Sequence, residues 1–311
     1  MASGSTELQR SIDMLRIWVS QDFPEDAEAI LSLCLSDDES APLGFTHFPV
    51  AQKSAGLEGL SGQVAQDLHC GYVYLVSYYF CVDAVLDGHG RASQVDLESQ
   101  CIVPYLGHLL AASIARVSSA LERTNPGLIP FFRSRLVQIL SENVRALRSE
   151  TNFMKTPLVP NVLEEFDNIV GRANPFYLLF ELVWRMANHT MTDELAQQLR
   201  RFTFVMQLRD DLGDWREDFR AGRWTSFLRE CFCALQKIPD EEALEDHIFF
   251  SGAYEKRAAF LIKEFDSIVS ELELLAGQGS TASWVSAERH RAYCNLRYFV
   301  GEKLTFGVQY A

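Results

Sequence analysis

The chain of 311 residues is short of positive charge: it has 28 lysines and arginines against 42 aspartates and glutamates, a net charge of −14. Such an acidic surface repels phosphate backbones, which argues against general nucleic-acid binding. The apolar fraction, 48% of residues, is ample for a sizeable core. An anionic substrate would therefore have to be met by a few local cations or by metal ions.

Long hydrophobic runs and a targeting signal are also missing. The N-terminal segment has no basic stretch followed by the apolar core that a secretory signal requires. The longest apolar run, 71–86, is shorter than a membrane span and is interrupted by Asp83. The seven cysteines are odd in number and lie mostly in apolar stretches, which predicts reduced, buried thiols. We therefore expect a cytoplasmic protein with no membrane span.

Helical periodicity dominates the sequence, and the alternation of polar and apolar residues that forms strands is not evident. Prolines and glycines cluster in 37–62 and predict a loop there. Long helices are predicted downstream, among them 63–88, 192–221 and 241–276, the last interrupted near Gly252. No repeat or obvious interdomain linker is present.

The simplest architecture is all-α, with about ten helices around a central active-site cavity. We expect one domain over 1–311, in which 1–62 forms N-terminal helices and a loop and 63–306 forms the catalytic helical core.

The most informative segment is 206–225, MQLRDDLGDWREDFRAGRWT. Asp210, Asp214 and Asp218 are four residues apart, so on one continuous helix each carboxylate turns only about 40° from the last and all three share a face. Like charges at that spacing destabilise a helix unless a cation lies over them. Carboxylate oxygens so arranged suit Mg²⁺. A solvated acidic face is the alternative, but the flanking residues are apolar nearly all round the helix, a core pattern.

A second acidic pair, Asp83 and Asp87, lies near the end of the predicted helix 63–88. The two residues are again one helical turn apart and sit among apolar neighbours. Either carboxylate alone would pass as a helix-end group. Two helices that present carboxylates across a cavity would bind a metal cluster, and such a cluster would recruit a diphosphate.

With these motifs the chain resembles the class I isoprenoid synthases, which comprise the trans-prenyl diphosphate synthases and the related terpene cyclases. The segment 207–214 fits the family motif Q-x-x-D-D-x-x-D, and 218–225 is similar to the D-L-x-x-G-K-x-T segment of the elongating enzymes, with Arg223 in place of lysine. Asp83 and Asp87 fit the first and last positions of D-D-x-x-D. The resemblance implies the α-helical isoprenoid synthase fold and three bound Mg²⁺ ions.

The resemblance also implies roles for individual residues. The catalytic carboxylates would be Asp83, Asp87, Asp210, Asp214 and Asp218, and the metal ligands these five together with Asp211. Diphosphate would be bound by Arg172, Arg223, Arg297 and Tyr298, although Arg172 is equally well explained as a surface residue. The cavity would be lined by Tyr79, Phe80, Phe180, Trp184 and Gln207; aromatic faces stabilise carbocations, but aromatics at helical spacing are often simple core.

Departures from the elongating pattern favour the cyclases. Ala84 replaces the second aspartate of the first motif, and no R-R-G-x-P follows it. The glycine-lysine stretch that elongating enzymes carry after the second motif is absent, which brings Asp218 into register with Asp210 and Asp214. The resulting spacing resembles the metal triad of terpene cyclases. Arg297 and Tyr298 are similar to the Arg-Tyr pair near the C-terminus of those enzymes.

The leading hypothesis is a Mg²⁺-dependent terpene synthase, a carbon–oxygen lyase that ionises and cyclises a linear C15 or C20 prenyl diphosphate. One alternative is a prenyltransferase, either a prenyl diphosphate synthase or an enzyme that prenylates another acceptor. Another is an inactive subunit that regulates such an enzyme. The expected partner is a prenyl diphosphate, with no nucleic acid, and a homodimer is allowed by the resemblance.

Overall fold

The structure is a computed structural model that describes residues 2–35, 47–57, 59–60, 62–87, 102–153, 166–172, 174–276 and 280–309. Its regular elements are helices, and no β-strand occurs in these described ranges. The all-α prediction is confirmed. In chain order the α-helices are α1 Ala2–Asp22, α2 Ala27–Leu33, α3 His47–Ser54, α4 Gly62–Asp87, α5 Ile102–Thr124, α6 Ile129–Phe153, α7 Phe166–Arg172, α8 Asn174–Met186, α9 Asp193–Gly213, α10 Trp215–Arg220, α11 Ser226–Leu235, α12 Glu241–Ser251, α13 Ala253–Ala276 and α14 Ser280–Gln309.

The described residues form fourteen α-helices rather than the expected ten or so, and the short helices account for this difference. One of them, α3, lies inside the region 37–62, so the prediction of a loop there is wrong for His47–Ser54. Pro49 is the third residue of α3. Proline is tolerated in the first turn because the N–H groups there have no partner inside the helix.

The chain divides into two compact units, each built from two separate stretches. The first comprises Met1–Ser134 and Leu179–His189, and the second comprises Arg135–Leu178 and Thr190–Ala311. The single domain expected over 1–311 stays a prediction. No helix in the described part of the chain is long and apolar enough to cross a membrane.

In the first unit, α4 and α5 pack closely because a glycine lies at their contact. A Cβ atom on Gly71 would come within 2.8 Å of Val117 Cγ2 and 3.1 Å of the Ser113 carbonyl oxygen. The Ser113 hydroxyl also donates a hydrogen bond of 2.7 Å to the Gly71 carbonyl. One helical turn earlier along the same contact, Arg116 donates to Asp67 of α4 and also to Asp22, each at 2.7 Å. These contacts hold the helix that carries Asp83 and Asp87.

In the second unit, α9 packs its apolar face against α13, where Phe202 and Phe265 approach with ring centroids 6.3 Å apart. Helix α9 begins after Thr192, whose hydroxyl accepts a hydrogen bond of 3.2 Å from the Leu195 N–H. Such a cap stabilises a helix by roughly 1 kcal/mol. The buried face and the cap thus fix the position of α9, which carries Asp210 and Asp211 near its C-terminal end.

The predicted continuous helix 192–221 is wrong, because α9 ends at Gly213 and α10 starts at Trp215. Asp214 lies between them with φ −100° and ψ 14°. Hydrogen bonding persists across the bend: the Asp214 N–H donates to the Asp210 carbonyl at 3.0 Å, and the Asp218 N–H donates to the Asp214 carbonyl at 2.9 Å. Glycine weakens a helix by about 1 kcal/mol relative to alanine. The helix is therefore less stable at Gly213, close to the mutually repelling carboxylates of Asp210, Asp211 and Asp214, and it bends there.

Candidate active site

The aspartates of the second motif differ in how accessible they are. The side chain of Asp210 is 45% exposed and forms an ion pair with the adjacent Arg209 guanidinium. Asp214 is exposed, whereas Asp211 is 5% exposed as a residue. The Asp218 side chain is 9% exposed. Among these four aspartates, Asp210 and Asp214 are thus the two that a ligand from solvent can reach.

Asp211 is held by hydrogen bonds to both of its carboxylate oxygens. Gln207 Nε2 donates to Oδ1 at 3.3 Å, and the Ser226 hydroxyl donates to Oδ2 at 3.2 Å. Buried polar groups are normally satisfied in this way. Gln207, predicted to line the cavity, therefore orients Asp211. Ser226 was missed by the sequence analysis, because a serine that opens a helix shows no sign of a partner on another helix.

Asp218 is tied to Arg223 by the turn that ends α10. The Arg223 N–H donates to the Asp218 carbonyl at 2.8 Å, and the Gly222 N–H donates to the Phe219 carbonyl at 3.0 Å. Gly222 has φ +73°. This is a Schellman motif, which requires a left-handed residue and brings the residues on either side of the pattern together. Here those residues are Asp218 and Arg223, whose side chains form an ion pair of 2.8 Å.

The Asp214 carboxyl is in an unfavourable electrostatic position. Although the residue is exposed, its pKa is raised from the ordinary 3.8, first because neighbouring protein atoms partly desolvate the carboxyl and then because Glu217 and Asp211 add negative charge. Arg209 and Arg223 act in the opposite direction. A divalent cation at Asp214 would relieve this repulsion.

A small pocket of about 190 Å³ lies beside Asp214 and includes Tyr254 and Tyr298 among its lining residues. Tyr254 stacks on Phe299 with ring centroids 3.8 Å apart. Burial, helped by the negative charges of Glu302 and Asp214, raises the pKa of Tyr254 to about 12. Its hydroxyl therefore stays protonated at neutral pH and is able to donate a hydrogen bond. Tyr254 was not predicted, because no motif in the sequence marks it.

Arg216 fixes α10 against two other helices. It donates to Glu245 of α12 at 2.9 Å and to Glu302 of α14 at 3.3 Å. Its guanidinium also lies 4.8 Å from the centre of the Trp215 ring. Tyr298, one of the predicted diphosphate ligands, is thus brought to the same pocket as Asp214, while Arg297 is exposed on α14.

Neither the protein-family models nor the curated proteins contain a match to this sequence. Among solved structures, the chain is similar to a geranylgeranyl pyrophosphate synthetase from the archaeon Geoglobus acetivorans, with a TM-score of 0.70. The two sequences are 12% identical, and the alignment covers 92% of this chain and 98% of that one. The chain has an isoprenoid synthase-like fold. The fold implied by the sequence motifs is confirmed.

Two other groups of predicted residues sit on helices of this isoprenoid synthase-like fold. Asp83 and Asp87 lie in the last turns of α4, and Arg172 is the final residue of α7. The side chains of all three lie outside the described residues. The start of α7 is anchored by Arg200, which donates to Asp167 at 2.8 Å. The roles of these residues stay predictions.

The predicted cavity aromatics are in the first unit. Tyr79 and Phe180 are buried, and Phe80 is 51% exposed. Trp184 lies against the His189 ring, with centroids 5.0 Å apart. Their part in a substrate cavity stays a prediction.

The isoprenoid synthase-like fold implies Mg²⁺, and the donors of the aspartate segment fit that ion in part. Within the described residues, no three His, Cys, Asp or Glu side chains converge as a ready-made metal site. Mg²⁺ is, however, usually bound by one or two carboxylates together with substrate phosphates. Asp210 and Asp214 are accessible carboxylates of this kind, and their role as metal ligands stays a prediction. Asp211 and Asp218 are already engaged by Ser226 and Arg223, so their role as metal ligands stays a prediction.

Proposed function

We propose that the protein is a prenyltransferase that uses an allylic prenyl diphosphate, with Mg²⁺ held at Asp210 and Asp214. The observation that carries this proposal is the similarity of the fold, over 92% of the chain, to an enzyme named as a geranylgeranyl pyrophosphate synthetase. The motif 207–214 also supports it, because its aspartates are acidic ligands of the kind that Mg²⁺ prefers. The terpene cyclase, which the sequence motifs favoured, is therefore the second candidate function.

The ion pair between Asp218 and Arg223 supports prenyl transfer over cyclisation. The cyclase hypothesis needs Asp218 as a third metal ligand in line with Asp210 and Asp214. The Asp218 carboxylate instead contacts Arg223 at 2.8 Å within a turn that Gly222 makes possible. The same segment, 218–225, is the one that resembles the elongating enzymes.

Prenyl transfer breaks the bond between carbon and oxygen in the allylic diphosphate, forms a carbon–carbon bond to the acceptor and releases a proton. Bound Mg²⁺ would neutralise the charge that develops on the departing diphosphate. Within the chain, Arg209 pairs with Asp210, while Gln207 and Ser226 hold Asp211. The first contact orients the accessible Asp210 carboxylate, and the other two fix the buried Asp211 beside it.

The test offers the purified protein Mg²⁺ with C10, C15 or C20 allylic diphosphates, each with and without isopentenyl diphosphate, and identifies products by mass spectrometry. We expect a longer diphosphate that forms only when isopentenyl diphosphate is present. A hydrocarbon or terpene alcohol from one substrate alone would instead establish the cyclase. Absence of product with every substrate would favour the hypothesis of an inactive regulatory subunit.

The cyclase remains the second candidate because Tyr298, half of the cyclase-like Arg-Tyr pair, lies in the pocket beside Asp214. A Tyr298→Phe substitution separates the two hypotheses when its product spectrum is compared with that of the wild type. Under the prenyltransferase proposal the chain length of the product is unchanged. A shift from diphosphate products to hydrocarbons would contradict it.

The metal assignment has a readout that does not depend on turnover. Calorimetric titration with Mg²⁺ and inorganic diphosphate should show binding that Asp210→Asn weakens about tenfold or more, because an ionised ligand is lost. Glu194→Gln is the matched control, since Glu194 is exposed in the first turn of the same helix. Equal binding by wild type and Asp210→Asn would remove Asp210 from the site. An Asp83→Ala variant tests the α4 carboxylates in the same way.

The cytoplasmic location is also part of this proposal. Cys34, Cys70, Cys81 and Cys231 are buried thiols that form no disulfide in the described part of the chain. Proteins of oxidising compartments more often carry disulfides. Fractionation of cells that express the tagged full-length chain would test the location.

A further inference from the structure

A second pocket in the same unit lies among α9, α11, α12 and α13 and has a volume of about 460 Å³. That volume falls in the range of roughly 300–1,000 Å³ typical of small-molecule sites. Phe204 and Phe227 form buried parts of its wall, while Phe260 and Ala234 are partly or largely open to solvent at its edge. The pocket is therefore mainly apolar inside and accessible from one side. None of its lining residues belongs to the aspartate segment 210–218.

The charges on the pocket wall leave an excess of one positive charge. Arg257 has a side chain only 4% exposed and pairs with Glu230 at 2.6 Å, so these two charges cancel. Burial and the nearby Lys256 lower the pKa of His247 from its ordinary 6.5, which leaves the ring neutral at pH 7. The buried Cys231 thiol is also neutral, because its pKa is raised to about 12. Lys256 supplies the remaining charge.

This excess stands out in a chain whose net charge is −14. An apolar cavity with a cation on its wall is complementary to a molecule with an apolar body and an anionic end. One excess charge matches a monoanionic carboxylate better than a phosphate monoester, which carries about −1.5 to −2 at pH 7. The lysine ammonium is a compact charge on a flexible stem, suited to a single carboxylate.

We propose that this pocket is a second ligand site, separate from the aspartate segment, that binds a small aliphatic carboxylate with its chain among the phenylalanines and its head group at Lys256. The site does not rest on the prenyltransferase proposal. Its ligand requires neither Mg²⁺ nor a prenyl group.

The test is calorimetric titration of the full-length protein with decanoate, kept below the concentration at which it forms micelles. We expect saturable binding of one decanoate per chain. Decanol, which has the same chain without charge, and decyltrimethylammonium, which has the opposite charge, should each bind at least tenfold more weakly. Absence of saturable decanoate binding, or equal affinity for the three compounds, would overturn the proposal. Tighter binding of decyl phosphate than of decanoate would overturn the assignment to carboxylates.

Two variants locate the binding. Lys256→Gln should weaken decanoate binding about tenfold, since a hydrogen bond to a charged group is lost. Lys263→Gln is the matched control, because Lys263 is an exposed lysine on the same helix and does not line the pocket. Ala234→Phe should abolish binding by filling the cavity from its exposed edge. A thermal melting measurement on this variant checks that the chain still folds. Wild-type affinity in Lys256→Gln would refute the site.

A competition experiment separates this site from the candidate active site. Saturating Mg²⁺ and inorganic diphosphate should change the dissociation constant of decanoate by less than twofold. Displacement of decanoate by Mg²⁺ and diphosphate would show that the two ligands share a site and would contradict the proposal. Decanoate binding is measured without turnover, so a negative result would not affect the prenyltransferase proposal. Likewise, absence of prenyl transfer would not affect the proposed carboxylate site.

Discussion

The pairing of Asp218 with Arg223 can be tested by a double-mutant cycle with Asp218→Asn, Arg223→Met and the combined variant. Both substitutions remove charge while they keep most of the side-chain volume. The backbone hydrogen bond of 2.8 Å from the Arg223 N–H to the Asp218 carbonyl remains available in every variant. The cycle therefore isolates the contact between the side chains.

The expected coupling follows from distance and burial. Two unit charges 2.8 Å apart attract by about 6 kcal/mol at an effective dielectric constant of 20. Desolvation offsets most of this, because the side chains are only 9% exposed for Asp218 and 23% exposed for Arg223. We expect a net coupling of about 1–3 kcal/mol. Arg223→Met should be the more costly single change, because it leaves the less exposed carboxylate without this partner.

The assay is urea unfolding followed by far-ultraviolet circular dichroism, with free energies of unfolding from linear extrapolation. If the two compact units unfold in separate steps, the transition of the second unit carries the measurement. Costs of the single changes that add to within about 0.5 kcal/mol in the double variant would refute the reasoning. The same proteins also address function: Asp218→Asn should weaken the binding of Mg²⁺ and diphosphate less than Asp210→Asn does, whereas a third metal ligand would make the two losses equal.

Three further predictions concern local packing and charge. Gly71→Ala should destabilise the protein by about 1–3 kcal/mol, since its Cβ would meet a side chain at 2.8 Å, whereas the control Gly107→Ala, with nothing within 4 Å, should be neutral or stabilising in thermal melting. Ser226→Ala should cost about 1.5–3 kcal/mol in urea unfolding, because the buried Asp211 carboxylate loses a donor; no change would mean that water replaces the hydroxyl. Asp214→Asn should be more stable than wild type at neutral pH without Mg²⁺, by no more than about 0.5 kcal/mol because solvent screens this exposed group, and this advantage should shrink as pH falls through the carboxyl titration and when Mg²⁺ is added. The direction of this pH dependence follows from the raised pKa of Asp214. Above pH 3.8 the native state binds more protons than the unfolded state, so the wild type loses stability as pH rises. A gain in wild-type stability relative to Asp214→Asn as pH rises would contradict the raised pKa.

Much of the helical pattern could be predicted because it depends on local periodicity. The break near Gly252, where φ is +75°, separates α12 from α13 as the sequence indicates. The bend at Asp214 could not be predicted by the same means, since a helical period continues through it. The Schellman turn did leave a readable sign, a glycine four residues after Asp218 with an arginine directly behind it.

For the candidate site, residue types were easier to predict than residue partners. The aspartates were visible as a motif, but the sequence alone did not show which of them would be accessible. Asp211 is buried because Ser226, at the start of another helix, donates to it. Tyr254 comes to the pocket beside Asp214 only through the packing of α13 and its stack on Phe299. Contacts of this kind join residues far apart in the sequence and depend on tertiary packing.

The turn that joins Asp218 to Arg223 also restricts how this sequence can evolve. A change at either position alone leaves a charge facing an unsuitable neighbour, so substitutions accepted in homologous proteins should occur as pairs, such as aspartate with lysine or two apolar residues. Gly222 should vary little, because its φ of +73° strains any residue with a side chain. Asp210, which pairs with Arg209 at an accessible position, and Asp214, which is exposed, are not buried in this way, so the same constraint does not apply to them. Covariation between positions 218 and 223 would therefore mark a structural pair inside a segment otherwise kept for its chemistry.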